Sequence, residues 1–317
     1  MNDLRMVYFG MLGDFSRRPL AALLAAGFNV VGVCVPAAEK RPVIRPLARV
    51  TAVSQLPLLT PFAAATIVSM AWQQAIPVYE IGDLNASETR ARLADLRADV
   101  AGVACYDRRI PASVLTIPRH GFLNVHPSLL PDFRGPAPLF WTFREGINQT
   151  GVTVHFMDEG LDTGDIALQA PLTLPEGISG AAADGLLADA GGGLLIEALA
   201  RLQAGTLPRR PQVGNGRAAP TPQPADFHIP TTWPARRAFN FMRGTAEWGR
   251  PFTILAGDKV VVAHTAVSYQ PEGQLPQPVV RQETISHIQF SPGILTVAAD
   301  SSLWQTGEQN QDTAAAG

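Results

Sequence analysis

The sequence is poor in cysteine and in the spacings that build metal sites. Cys34 and Cys105 are the only cysteines among 317 residues, and apolar residues flank both. Such cysteines are typical of small core residues in a reducing compartment, so we expect two buried thiols and no disulfide. The two are far apart and no H-x-x-x-H pair occurs. The sequence therefore predicts no metal.

Long apolar runs and a signal-like N-terminus are also missing. The chain starts Met1-Asn2-Asp3 and reaches an apolar strand without a preceding basic stretch, and no later run has the length needed to cross a bilayer. We expect a soluble, cytoplasmic protein without a membrane partner. With 46% hydrophobic and 16% charged residues, the chain can bury one large core and a second, smaller one.

The formal net charge of −2 conceals one basic segment. Residues 205–265 contain eight Lys and Arg against three acidic residues, which gives +5 there and −7 in the rest of the chain. Clustered positive charge favours binding to a polyanion such as nucleic acid.

Alternating strand and helix patterns predict an α/β fold. The expected strands are residues 6–9, 30–35, 100–105, 121–126 and 150–157, and the expected helices are 19–26, 87–96 and 180–202. The β-branched run 30–35 is suited to a strand buried on both faces, as in a parallel sheet. The turn Gly10-Met11-Leu12-Gly13 lacks the G-x-G-x-x-G spacing and indicates no dinucleotide site. Its glycines serve either chain geometry or phosphate contact.

The C-terminal third has a different pattern. Seven prolines between residues 207 and 234 predict an extended linker. Beyond it, a helix is expected over 233–244 and short strands over 252–255, 259–263 and 294–298. We therefore expect a catalytic domain over 1–206, a linker over 207–232, a small β-rich domain over 233–305 and a disordered tail over 306–317.

Two segments concentrate side chains suited to acyl transfer. Residues 121–135 read GFLNVHPSLLPDFRG, and residues 151–165 read GVTVHFMDEGLDTGD. Residues two apart in a strand face the same side, so Asn124 and His126 project together. The second segment supplies carboxylates at Asp158, Glu159, Asp162 and Asp165.

Together the two segments resemble the signature of the 10-formyltetrahydrofolate-dependent formyltransferase family, whose active site is built from Asn, His and Asp. The matching residues are Asn124, His126 and Asp162. The resemblance implies transfer of a formyl group from 10-formyltetrahydrofolate to a primary amine. It also implies a Rossmann-like, mostly parallel sheet, followed by an OB-like C-terminal barrel.

The chemistry of formyl transfer suggests a task for each of the three residues. Negative charge develops on the formyl oxygen, and the Asn124 amide and a protonated His126 can donate hydrogen bonds to it. Asp162 would orient the imidazole, favour its cationic form and accept the proton that the attacking amine loses. Each residue alone is more often structural, but the joint pattern favours catalysis.

Other residues are candidates for binding. The resemblance implies folate contacts from the loop after strand 100–105 and from residues 156–162, namely Tyr106, Arg108, Arg109, Ile110, Phe156, Asp158, Glu159, Gly160 and Leu161. Ser128, Arg134 and Gly135 are expected to contact the acceptor, with a solvated surface arginine as the alternative for Arg134. His155 lies in a β-branched strand and is expected to be packed and hydrogen-bonded rather than catalytic.

The sequence leaves the acceptor and the oligomeric state open. The two-domain layout and the basic segment favour initiator methionyl-tRNA. Residues 36–50, however, contain Lys40, Arg41, Arg45 and Arg49 without the glycine-rich basic run that the resemblance leads us to expect. A small amine such as an amino-sugar nucleotide is the main alternative. A formyltetrahydrofolate hydrolase and a non-catalytic folate-binding module are the others, and the intact Asn, His and Asp argue against the last.

Overall fold

The computed structural model describes residues 4–38, 44–48 and 65–299. The chain divides into two compact units that interleave along the sequence. Unit 1 comprises Met1–Pro138, Thr150–Leu172 and Asp184–Ala219, and unit 2 comprises Leu139–Gln149, Thr173–Ala183 and Pro220–Gly317. The segmentation at 206, 232 and 305 stays a prediction, and the expected tail over 306–317 lies outside the described residues, as do Lys40, Arg41 and Arg49.

Unit 1 is built on one large sheet. Its strands are β1 (Arg5–Gly10), β2 (Asn29–Pro36), β3 (Ile44–Pro46), β4 (Val78–Ile81), β5 (Val100–Ala104), β6 (Phe122–His126), β7 (Gln149–Phe156) and β8 (Ile166–Thr173). Within the described residues they lie in the order β3-β4-β2-β1-β5-β6-β7-β8. The central strands β4, β2, β1, β5 and β6 are parallel, whereas β3 and β7 run antiparallel to β4 and β6. The apolar runs predicted this, because parallel strands are covered on both faces.

Helices connect the parallel strands. They are α1 (Asp14–Ala25), α2 (Ile67–Gln73), α3 (Ser87–Asp95) and α4 (Ala112–Leu115), and α5 (Pro138–Arg144) and α6 (Gly180–Gln203) follow β6 and β8. The first helix begins earlier than expected, because extended Gly13 provides its N-cap and Asp14 places a favourable negative charge in its first turn. Within the described residues, no helix is long and apolar enough to cross a membrane.

The strand order reverses between β1 and β5, and ligands of open α/β sheets bind at the carboxyl ends of the strands at such a point. Ser16 braces this edge, because its Oγ accepts from the Met11 N–H at 2.8 Å and donates to the Ala104 carbonyl at 2.6 Å. A Cβ on Gly10 would lie 2.8 Å from the Ser16 Cβ. This contact supports chain geometry as the reason for that glycine.

Unit 2 combines a further helix with a second sheet, and α5 from Leu139 onward also belongs to it. Its elements are β9 (His228–Pro230), α7 (Ala235–Thr245), β10 (Phe252–Ala256), β11 (Lys259–Gln270), β12 (Val279–Gln282), β13 (Ile285–Gln289) and β14 (Ile294–Ala299). The strands lie in the order β12-β13-β14-β11-β10-β9. Phe227, Phe241 and Phe252 are buried between helix and sheet with ring centroids 5.6 to 5.8 Å apart in two of their pairs.

The predicted fold class, a mostly parallel α/β sheet followed by a β-rich C-terminal unit, is confirmed. One detail of the core was wrong. Cys34 is a buried, free thiol, but Cys105 is free and exposed. The reason is local: β5 ends at Ala104, and Cys105 turns into a left-handed conformation with φ of +55°.

Candidate active site

Strand β6 carries two polar side chains at the carboxyl edge of the unit 1 sheet. Asn124 is 9% exposed and His126 is 4% exposed, although both are polar. Buried polar groups need partners. The neighbouring strand provides the first of them, because β6 pairs with β7 in a register that sets Asn124 opposite His155.

His155 fixes the orientation of the Asn124 amide. The Asn124 Nδ2 lies 3.0 Å from His155 Nε2, and His155 Nδ1 lies 3.0 Å from the carbonyl oxygen of Phe156. A carbonyl only accepts, so the neutral ring carries its proton on Nδ1 and its Nε2 accepts from the amide. This hydrogen bond fixes the plane of the Asn124 amide, and so also the direction of its second N–H.

His126 is held by a loop carbonyl on one side and faces a carboxylate on the other. Its Nε2 lies 2.8 Å from the Phe133 carbonyl oxygen, which assigns the proton of the neutral ring to Nε2. Its Nδ1 lies 3.7 Å from Asp162 Oδ2. A proton bound at Nδ1 therefore faces the carboxylate.

Asp162 completes the cluster from a separate loop. Its Oδ2 accepts from the Gly135 N–H at 2.9 Å, and its Oδ1 lies 3.6 Å from His155 Nε2. The backbone at Asp162 is left-handed, with φ of +54°. This conformation is uncommon for a residue with a side chain and is typical of functional loops.

The two ionisable groups differ in the charge they carry. Burial raises the pKa of Asp162, but the charge of His126, the neighbouring His155 ring and the Gly135 N–H outweigh it and lower that pKa to about 2. Burial lowers the pKa of His126 below its ordinary value, although Asp162 opposes this. At neutral pH the site therefore holds an ionised carboxylate beside a neutral imidazole. This corrects the expectation that His126 is protonated before reaction.

Such an arrangement can perform acyl-transfer chemistry. An oriented amide donor stands beside a carboxylate and a neutral imidazole that both accept protons. Little water reaches these groups, and electrostatic interactions are stronger where water is excluded.

The residues expected to contact the acceptor divide into two kinds. The Gly135 N–H donates to Asp162 Oδ2 at 2.9 Å, whereas Arg134 donates from Nε and Nη2 to Gln212 Oε1 at 3.0 and 2.7 Å. Ser128 is fully buried, and its hydroxyl donates to the Asp132 carbonyl at 2.6 Å. Its side chain therefore braces the loop, and its contact with an acceptor stays a prediction.

The two loops expected to bind folate lie together. Arg109 donates to the Glu159 carbonyl, and the carboxylate of Asp158 accepts from the Gly160 N–H at 3.0 Å and from the Thr163 hydroxyl at 2.7 Å. Leu161 is 65% exposed. Arg108 donates to the carbonyls of Ala37, Ile81 and Gly82, so its guanidinium is engaged within the protein, and its role in folate contact stays a prediction.

Between these loops lies an apolar wall with one unpaired polar atom. Tyr106 packs against the core cluster that contains Ile110 and Phe122, and Met157 packs against the same cluster. The Tyr106 hydroxyl is buried and has no hydrogen-bond partner among the residues that the structure describes.

Two partners of the site were not identified from the sequence as such. His155 was expected to be packed and hydrogen-bonded, and it is, but its partner is Asn124. The antiparallel pairing of β6 with β7 would have revealed this. Gln212, in the proline-rich stretch, donates from Nε2 to the Asp162 carbonyl at 2.8 Å. No local sequence signal distinguishes it.

Known proteins share both the sequence pattern and the fold. A family model described as formyl transferase matches residues 54–199. The methionyl-tRNA formyltransferase of Pelotomaculum thermopropionicum is 34% identical over 275 residues, which are 87% of this chain and 82% of that protein. The methionyl-tRNA formyltransferase of Anaeromyxobacter dehalogenans is 41% identical over 190 residues, 59% of this chain and 61% of that protein.

A solved structure agrees at the level of the fold. It is an N-formyltransferase from Helicobacter canadensis in complex with folinic acid and dTDP-3-aminofucose, with a TM-score of 0.67 and 14% identity. The alignment covers 93% of this chain and 99% of that one. From the relatives' identity and coverage, the chain belongs to the formyltransferase family, and its activity is formyl transfer.

Proposed function

We propose that this enzyme transfers the formyl group of 10-formyltetrahydrofolate to the amino group of initiator methionyl-tRNA. The observation that carries the acceptor is the relative from Pelotomaculum thermopropionicum, a methionyl-tRNA formyltransferase 34% identical over 87% of this chain. The basic segment over residues 205–265, with a charge of +5, supports a polyanionic acceptor.

A folate donor is supported by the chemistry of the wall between the two loops. The unpaired Tyr106 hydroxyl and the apolar surface of Met157 fit a flat heterocycle with hydrogen-bonding edges. The neighbour from Helicobacter canadensis was solved with folinic acid. When bound, 10-formyltetrahydrofolate supplies the formyl carbon, whose oxygen gains negative charge as the amine attacks.

The residues of the site then act as follows. The free N–H of Asn124, oriented by His155, donates to that oxygen. Asp162, ionised at neutral pH because its pKa is about 2, accepts the proton that the amine loses. His126 Nδ1 is the second acceptor, and an imidazolium formed there is paired with Asp162 while Nε2 stays paired with Phe133. The proton passes to N10 of the folate as the bond between N10 and the formyl carbon breaks, so tetrahydrofolate leaves and the formyl group stays on the amine.

A small amine is the second candidate acceptor, favoured by one feature. The stretch 36–50 lacks a glycine-rich basic run of the kind the resemblance leads us to expect in a tRNA enzyme. An amino-sugar nucleotide would need no such run.

A formylation assay tests the proposal. Purified protein is incubated with 10-formyltetrahydrofolate and either initiator methionyl-tRNA or a panel of amino-sugar nucleotides, and the formylated product is quantified. We expect formyl-methionyl-tRNA, and product only from the sugar panel would overturn the proposed acceptor. Release of formate at the same rate without any acceptor would show hydrolysis instead.

The same assay tests the site. Asn124→Ala should lower kcat about 100- to 1000-fold, the typical cost of one oxyanion donor. Asn85→Ala serves as the matched control, because Asn85 is exposed and bonds only locally to Asp83. Parental turnover by Asn124→Ala would remove Asn124 from the mechanism.

A further inference from the structure

The stretch that was expected to be a linker braces the active site. Residues 208–219, here called the strap, follow α6 and belong to unit 1. The strap starts with a two-residue ladder, in which Arg210 and Ile166 exchange backbone hydrogen bonds at 2.8 and 3.0 Å. It ends with the Ala219 N–H donating to the Arg134 carbonyl at 2.7 Å. Between these anchors it contacts both loops that hold the site.

At one end the strap fixes the partner of His126. Phe133 is left-handed, with φ of +61°, although it carries a large side chain. Its N–H donates to the Arg217 carbonyl at 2.6 Å, and the Arg217 N–H donates to Asp132 Oδ1 at 2.9 Å. These bonds hold the Phe133 carbonyl where it accepts from His126 Nε2. A left-handed backbone is unfavourable for a residue with a side chain, so it persists only where its surroundings hold it.

At its centre the strap fixes Asp162, the other left-handed residue of the site. Gln212 Nε2 donates to the carbonyls of Asp162 and Gly164, both at 2.8 Å. Gln212 Oε1 accepts both bonds from Arg134, and the next residue, Gly135, donates its N–H to the Asp162 carboxylate. The Gln212 amide thus links the backbone of Asp162 to Arg134, whose neighbour Gly135 binds the Asp162 carboxylate.

All of the hydrogen-bonding capacity of this amide is used. A primary amide has two acceptor positions on its oxygen and two donor hydrogens on its nitrogen, and Gln212 employs the four on Arg134, Asp162 and Gly164. Glutamate cannot donate to the two carbonyls, and lysine cannot accept from the guanidinium. Asparagine is one methylene shorter and cannot span the same gap.

We propose that Gln212 is a positioning residue, which sets the Asp162 carboxylate against His126 and so tunes the proton acceptors of the reaction. The effect of Gln212 on catalysis rests on the proposed function, but its effect on the position of the Asp162 carboxylate does not. If Gln212 places the carboxylate, its loss must change the ionisation of His126, whose cation Asp162 favours from 3.7 Å. A side chain that merely stabilised the strap would leave that ionisation unchanged in the folded protein.

Gln212→Glu is the sharpest variant, because it keeps the size and the acceptor for Arg134 but turns two donors into an oxygen facing two carbonyls. Val213→Ala is the matched control on the same strap, since Val213 is 86% exposed. Two quantities are measured: kcat for formyl transfer, and the titration of the His126 ring by NMR, assigned with His126→Gln. Gln212→Ala, which removes the amide without adding charge, provides a second variant.

In Gln212→Glu and Gln212→Ala, we expect kcat to fall about 100-fold, the cost of displacing a catalytic group by about 1 Å. In Gln212→Ala, which adds no charge, we also expect His126 to titrate at lower pH than in the parent, because the carboxylate that favours its cation has moved. Val213→Ala should match the parent in both. Parental kcat and a parental His126 titration in folded Gln212→Ala would overturn the inference.

The titration needs no substrate, so it separates this inference from the proposed function. A shifted His126 titration in a protein that formylates neither acceptor would uphold the positional role and reject the function. Formyl transfer with an unshifted His126 titration in both Gln212 variants would uphold the proposed function and reject the positional role of Gln212.

Discussion

Asn124 and His126 gain their properties from burial and from partners on other segments. Alone, each is a polar side chain at the end of a strand. In the fold, His155 orients the amide of Asn124, and the Phe133 carbonyl assigns the proton of His126 to Nε2. The sequence predicted Asn124, His126 and Asp162 as the reacting groups, but the neutral state of His126 follows from burial, which is a property of the folded chain.

Substitution of His155 should lower turnover through Asn124. In His155→Phe the amide loses its acceptor and the free N–H loses its direction, so we expect kcat to fall about 10- to 100-fold, since misplacement of a catalytic group by about 1 Å costs up to that much. His155→Gln keeps an acceptor oxygen and should recover part of the loss. His264→Gln, at an exposed position, is the control. Equal rates in His155→Phe and the parent would contradict the role given to His155.

Stability should decrease as the pH falls below about 6.5. Burial lowers the pKa of His126 in the folded protein, so the unfolded chain, with an ordinary His pKa of about 6.5, binds more protons there. The contribution is fully present above the unfolded pKa and is lost as pH falls through the folded one. Urea unfolding at pH 7.5 and 5.5 measures it. His126→Gln should show a smaller decrease than the parent, and an unchanged decrease would refute this assignment.

At the scale of elements, the site depends on how closely α6 approaches β6. Gly191 of α6 lies against Val125, the residue between Asn124 and His126, and a Cβ on Gly191 would come within 2.4 Å of the Val125 Cγ1. Gly193, two residues further, is exposed and a Cβ there would meet no atom within 4 Å. The same helix thus contains one glycine required by packing and one that is not.

These two glycines should respond oppositely to alanine. Gly191→Ala forces either the helix or Val125 to move, and overpacking of a core costs about 1–3 kcal/mol in unfolding free energy. Gly193→Ala should stabilise by about 0.5–1 kcal/mol, because alanine has the higher helix propensity. Denaturant unfolding of both variants checks the signs. Stabilisation by Gly191→Ala would show that the contact is loose.

At the scale of the whole molecule, much of the basic segment is engaged within the protein. Arg236 pairs with Glu176 at 2.7 Å, Arg209 pairs with Asp165 at 3.2 Å, and Arg237 donates to the Arg144 carbonyl while stacking on Trp233 at 3.8 Å. The +5 balance therefore overstates the charge free to meet a polyanion. Arg250 is exposed, and no hydrogen bond or ion pair of its side chain occurs in the described part of the chain.

Formylation of methionyl-tRNA should weaken steeply with salt. Each phosphate contact contributes about 0.7 to 0.9 to the slope of log affinity against log salt concentration. We expect Arg250→Gln to reduce the slope of log kcat/KM against log salt concentration by the contribution of about one phosphate contact. Between 50 and 200 mM salt, the decrease in kcat/KM should then be about threefold smaller than in the parent. Arg119→Gln, an exposed arginine outside the basic segment, should leave the slope unchanged. A salt-independent rate would contradict a tRNA acceptor.

The sequence by itself determined the fold class and the parallel strands β1, β2, β5 and β6, and it predicted the set Asn124, His126 and Asp162. Local patterns suffice for these, because apolar periodicity reports burial and the motif residues lie within two short segments. The strands β4, β8, β12 and β13 were not predicted, since short strands with mixed burial lack a clear period.

Only the tertiary structure decided how these residues meet. The antiparallel pairing of β7 brought His155 to Asn124, and the return of the chain at residue 212 brought an amide to Asp162 from 50 residues away. Burial then left His126 neutral. Long-range pairing and exclusion of water arise when distant segments pack together, and no local window of the sequence contains either.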